Sequence, residues 1–152
     1  MFKKILVPLD GSSMAEAVLP LVRSLALAYQ AEVLLIQITE PLRPAVYPQG
    51  VELLEPVLRE LRAEANAYVH HTATTLTDLG INAHAETFDA VDIAHAILNY
   101  AEEKGVDLMA LSTHGLSGIG RWLLGSVADK VTHSAKVPVL LVRPELSQGA
   151  EE

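Results

Sequence analysis

Five short strand-like runs, residues 3–9, 32–38, 81–88, 107–112 and 137–142, most of them largely apolar, alternate with four longer segments whose apolar residues recur at helical spacing. A run rich in Ile, Leu and Val suits a parallel strand, because the pleat sends alternate side chains to opposite faces and both faces are covered. The longer segments need only one buried face each. A strand followed by a helix and then by another strand returns parallel through a right-handed crossover. Five strands and four helices therefore demand an α/β fold, a doubly wound five-stranded parallel sheet with helices on both faces. In such sheets ligands bind beyond the carboxyl ends of the strands, where the winding reverses. If strands one, two and three wind outward and strand four returns beside strand one, that crevice lies between residues 10–13 and 113–126.

The element ends carry their own signals. Ser13 precedes Glu16 by three residues, a cap signature for a helix over about 14–30, and Pro20 inside that helix predicts a bend or an early break. Pro41, Pro44 and Pro48 make 40–50 a surface loop able to close over a ligand. The second and longest helix starts at Val51 and runs until Gly80. The strand over 81–88 alternates more than its fellows, as one near the sheet edge should. Asp89 and Asp92 open the third helix and Gly105 ends it, while Ser126, with Asp129 three residues on, caps the fourth, over 126–135. Pro138 cannot donate a ladder hydrogen bond, so the fifth strand belongs at an edge. Residues 1–146 read as one domain and 147–152 as a frayed tail.

Composition narrows the function classes. The 152 residues are half hydrophobic and contain no cysteine, so disulfides, thiolate metal sites and a cysteine nucleophile are excluded. A formal net charge of −8 argues against nucleic acid or an anionic membrane surface as partner. The sequence has no eighteen-residue apolar run, and the expectation is a cytoplasmic protein. His70 and His71, adjacent on a helix and hence about 100° apart, lack an i+4 ligand partner and read as surface residues.

The segment most suggestive of chemistry is 113–126. Four of the nine glycines stand here, at 115, 118, 120 and 125, no acid occurs from Leu108 through Ala128, and Arg121 lies in the loop. A strand that feeds a Gly-rich loop and then a helix start aims backbone N–H groups and a positive dipole end at an anion. The alternative is a surface loop with an ordinary capped helix. Asp10, at the end of strand one, can accept from a ligand's amine or hydroxyl, cap the turn around Gly11 and Ser12, or do both. His114 can contact a phosphate or a metal-bound water, or only fix the loop; Arg121 can reach a phosphate or face water. A dinucleotide oxidoreductase would carry G-x-G-x-x-G after strand one, where this chain has Asp10-Gly11-Ser12-Ser13. A phosphate-loop ATPase needs a lysine that is absent between Lys104 and Lys130.

The stretch from Lys4 to Ser12, Thr113-His114-Gly115 followed by Gly118 and then Gly125-Ser126, and the ending Val137-Pro138-Val139-Leu140-Leu141-Val142 resemble the universal stress protein family over residues 2–144. The spacing G-x-x-G, six residues, G-S is similar to that of its ATP-binding branch. The resemblance implies strand order 3-2-1-4-5 and a cytoplasmic homodimer, and the apolar run Val139-Leu140-Leu141-Val142 at an edge points to strand five as the place where two copies join. It also implies ATP or another adenine nucleotide as ligand, often with Mg2+ or Mn2+. By position, Asp10 and the backbone of Ile38 would face adenine and ribose, whereas Gly115, Gly118, Gly125 and Ser126 would hold the phosphates. Pro8, Leu9, Thr113, His114, Arg121 and Val127 complete the candidate site, and no residue is assigned a catalytic or metal-ligating role. The implied role is a nucleotide-dependent switch or sensor in stress response with at most slow hydrolysis. The alternative is a nucleotide-free dimeric interaction module of the same fold.

Overall fold

The computed structural model describes residues 1–41, 51–114 and 124–144, with the backbone alone for residues 51–53. Its elements are β1 (Lys4–Leu9), α1 (Ser13–Glu16), α2 (Leu19–Tyr29), β2 (Glu32–Thr39), α3 (Val51–Asp78), β3 (Ala83–Asp89), α4 (Ile93–Glu103), β4 (Leu108–Ser112), α5 (Ser126–Ser134) and β5 (Val139–Val142). The sheet order is β3-β2-β1-β4-β5 with every neighbouring pair parallel, as the alternation of strands and helices requires. The winding therefore reverses between β1 and β4. Residues 42–50, Gly115, Gly118, Arg121 and the tail over 147–152 lie outside the described residues.

Alternation along the strands divides the core into two layers. Ile5, Val7, Val33 and Leu35 pack against Val18 and Val22, ahead of and within α2, and against Ala73 and Leu76 of α3. Leu6, Leu34, Ile36 and Met109 meet Ile97 of α4 and Val131 of α5 on the other face. Fully burying such a side chain contributes roughly 1.5–3 kcal/mol. These two layers fix the carboxyl edge of the sheet, on which the site stands.

Several boundaries differ from the sequence expectations. The first helix is two: α1 stops at Glu16, and α2 places Pro20 in its first turn, where a missing N–H deprives no carbonyl of a partner. The cap is Ser12 instead of Ser13, because Ser12 holds the extended conformation (φ −89°, ψ 149°) while Ser13 is already helical. Asp92 alone caps α4, accepting from the backbone N–H of His95 at 3.1 Å, and Asp89 ends β3. The fourth helix has Gly125 as its N-cap, not Ser126, since the carbonyl of Gly125 accepts from the N–H of Asp129 and Ser126 is the first helical residue. Pro138 precedes β5, which does lie at the sheet edge.

Candidate functional site

Two turns frame the crevice between β1 and β4. After Leu9, the Oδ1 of Asp10 accepts from the N–H of Ser12 at 2.9 Å and from its hydroxyl at 2.6 Å. The Ser12 Oγ in turn accepts from the N–H of Ala15 at 3.1 Å, so one carboxylate fixes both the turn and the start of α1. Gly11 between them has φ +83°, a conformation that a side chain would strain. Asp10 therefore does cap its turn, one of the two roles open to it from sequence.

On the β4 side, Thr113 Oγ1 lies 2.9 Å from Nδ1 of His114, so the histidine is tied to the loop. The chain returns at Gly125, whose N–H donates to the Thr113 carbonyl at 2.9 Å. A Cβ at Gly125 would stand 3.2 Å from that carbonyl oxygen and 3.9 Å from the Cα of His114. This glycine is needed for close approach of two backbones, and its N–H is occupied within the protein. The next three N–H groups, of Ser126, Val127 and Ala128, find no acceptor among the described residues, and α5 has no side-chain cap. All three residues line the crevice. An uncapped first turn carries partial positive charge and unpaired donors, the combination that receives an anion.

The crevice is a cavity of about 900 Å³. Its wall brings together Pro8, Leu9, Asp10, Ile38, Thr113, His114, Gly125, Ser126 and Val127, all the expected site residues that the structure describes. It also includes residues that the sequence reading did not single out: Gln37 and Thr39 on β2, and Arg62 and Tyr68 on α3. Arg62 Nη2 lies 2.7 Å from Asp89 Oδ2, its Nε donates to Oδ1 at 3.3 Å, and Nη1 is 3.8 Å from Glu55. The Thr39 hydroxyl also donates to Asp89; this bond first, and Arg62 after it, hold the Asp89 carboxyl below the usual carboxylate range. Tyr68 donates to Glu16 at 2.8 Å, and burial, reinforced by that carboxylate, pushes its phenol up. Gln37 Oε1 is buried without a hydrogen-bond partner among the described residues. The available signal was helical: Leu58, Leu61, Arg62, Ala65 and Tyr68 recur at helical spacing on α3, which sets Arg62 among apolar residues on one face.

The two ends of the cavity differ in charge. Glu40 and Glu64 line the part between β2 and α3, whereas no acid occurs from Leu108 through Ala128 around the α5 end. Among the described residues no group of three His, Cys, Asp or Glu side chains could hold a metal ion, and no helix is long and apolar enough to cross a membrane.

Comparison with known proteins now bears on this crevice, because the sequence profile of the universal stress protein family matches residues 1–143. The chain belongs to the universal stress protein family. It is 34% identical over 151 residues to the universal stress protein YxiE of Bacillus subtilis (strain 168), covering 94% of this chain and 100% of that protein. The structure of hypothetical protein MJ0577, a universal stress protein of Methanocaldococcus jannaschii, superposes with a TM-score of 0.85 at 28% identity, over 97% of this chain and 99% of that one. A more distant universal stress protein solved in complex with cAMP matches at a TM-score of 0.60 and 22% identity, over 93% and 97% of the two chains, a likeness of fold.

Proposed function

We propose that this universal stress protein binds ATP in the cavity between β1 and β4 and acts as a nucleotide-dependent switch or sensor. The observation that carries the reading is the first turn of α5, where Ser126, Val127 and Ala128 line the cavity and their N–H groups have no acceptor among the described residues. Such donors suit phosphate oxygens, which an acid-free segment does not repel. The phosphates belong at α5 and the base toward β2, near Ile38 and Asp10. A carboxylate beside a triphosphate would repel it, so Asp10 serves the adenosine end. The family's fold holds cAMP in the relative described above.

Mg2+ or Mn2+ would arrive with the nucleotide, bound mainly by its phosphate oxygens. Hydrolysis is at most slow, since no lysine between Lys104 and Lys130 is there to meet the transferred phosphate. A cytoplasmic setting accords with a chain of 152 residues without cysteine.

We also propose a homodimer across β5. The carbonyls of Pro138 and Val142 accept from the N–H groups of Met109 in β4 and of Thr113 just after it, so by strand alternation the backbone polar groups of Val139 and Leu141 point to the open edge. An apolar edge of this kind pairs with another chain, and a two-fold mate closes it. A monomer mass by light scattering at micromolar concentration refutes the dimer. For the ligand, calorimetric titration with ATP and magnesium is expected to show saturable heat with little phosphate release. No heat at millimolar ATP leaves the nucleotide-free interaction module as the function, and several turnovers per second would reveal a catalytic group in the site.

A further inference from the structure

Arg62 enters the cavity wall in an unusual state. Its Nε and Nη2 grip the Asp89 carboxylate as a fork, at 3.3 and 2.7 Å, while Nη1 leans toward Glu55 at 3.8 Å. Neither Asp89 nor Glu55 is among the described residues of the cavity wall, so the guanidinium donors are engaged by carboxylates outside it. Arg62 itself lines the cavity while its Nε, Nη1 and Nη2 are all engaged by these two carboxylates. Asp89 is itself held by the Thr39 hydroxyl, which ties the arrangement to the carboxyl end of β2.

We propose, resting on the nucleotide reading above, that the plane of Arg62 is one wall of the base subsite and stacks on the purine ring. Guanidinium planes stack on aromatic faces, whereas an ammonium has no plane to offer. Leu58 and Leu61, beside Arg62 in the cavity wall, give apolar surroundings of the kind a heteroaromatic ring needs. Charge excludes the competing assignment to phosphate. The Arg62 cation is already matched by Asp89 and Glu55, and Glu40 and Glu64 stand in the same region of the wall. Three strand spacings, roughly 14 Å, separate β3 from β4, so Arg62 and the α5 donors hold opposite ends of one elongated ligand. Asp89 acts through Arg62 as a positioning residue.

The test is calorimetric titration of ATP and of inorganic triphosphate into the wild type, Arg62→Ala and Arg62→Lys, with a thermal melt of each. Arg62→Ala should weaken ATP roughly 3- to 20-fold. Arg62→Lys, which keeps the charge and an ion pair with Asp89, should lose nearly as much. Triphosphate affinity and the melt should scarcely move, because the ion pair is solvent-exposed. Wild-type affinity for ATP in Arg62→Lys, or in both variants, overturns the stacking role and leaves the nucleotide reading standing. An equal loss for ATP and triphosphate overturns it too, and places Arg62 on the phosphates. A wild type that binds neither ligand removes the nucleotide reading and this inference together.

Discussion

Replacing Gly125 by alanine tests the closure of the loop that presents α5. Gly125 has φ −57° and ψ 148°, which any residue adopts, so the substitution adds no dihedral strain. The cost arises elsewhere. A Cβ would lie 3.2 Å from the Thr113 carbonyl oxygen, closer than ordinary contact, and must push that carbonyl away by a few tenths of an ångström. The same carbonyl accepts the Gly125 N–H at 2.9 Å, a bond worth about 0.5–1.5 kcal/mol that would lengthen. Alanine is also a poorer N-cap than glycine by about 1 kcal/mol. The total is about 1–2 kcal/mol, and at about 2–4 °C per kcal/mol for a chain of this size the melting temperature should fall by about 2–8 °C. Gly125→Ser separates the causes, since its hydroxyl can cap α5 while its Cβ meets the same carbonyl. It should melt above Gly125→Ala and below the wild type. Both variants should bind ATP less tightly in calorimetry, because the displaced first turn carries the three free N–H groups. If Gly125→Ala melts within a degree of the wild type and binds ATP equally well, the close approach of Gly125 to Thr113 has no part in the site.

Asp10→Ala removes the acceptor of two bonds from Ser12; it should lower the melting temperature by several degrees, keep the melt cooperative, and weaken ATP without weakening inorganic triphosphate. Tighter ATP binding by this variant would show that Asp10 faces the phosphates and that the orientation is reversed. Asp89 has a folded-state pKa below its unfolded value, so its stabilising contribution is present above about pH 4 and is lost as pH falls through the folded value. Urea midpoints measured from pH 6 to pH 2 should therefore decline less steeply in Asp89→Asn than in the wild type, and parallel curves would contradict the Thr39–Asp89–Arg62 link.

The parallel α/β class was legible because it follows from a pattern repeated along the whole chain, whereas the strand order, and with it the position of the crevice, came from the family resemblance. Five apolar runs alternating with amphipathic helices leave few ways to wind a sheet. Helix starts were less legible, since one residue's backbone conformation decides them: Ser12 caps where Ser13 also had the chemistry, and Gly125 caps beside Ser126. Pro20 signalled a break, but only the fold shows it splitting the segment at residues 17–18 and standing inside α2. The cluster of Thr39, Arg62 and Asp89 left no local motif, because its members belong to three elements and meet only when β2, β3 and α3 pack. Gly125 was singled out as a phosphate-contacting glycine, yet in the fold its N–H serves Thr113, and the free donors begin one residue later.

The most direct measurement is amide NMR of the labelled protein during titration with ATP and magnesium. If the first turn of α5 receives the phosphates, the N–H resonances of Ser126, Val127 and Ala128 should shift strongly and saturably, and inorganic triphosphate should move the same three while leaving Gln37 and Ile38 in place. Saturation with ATP that leaves those three resonances where they stood would contradict the account.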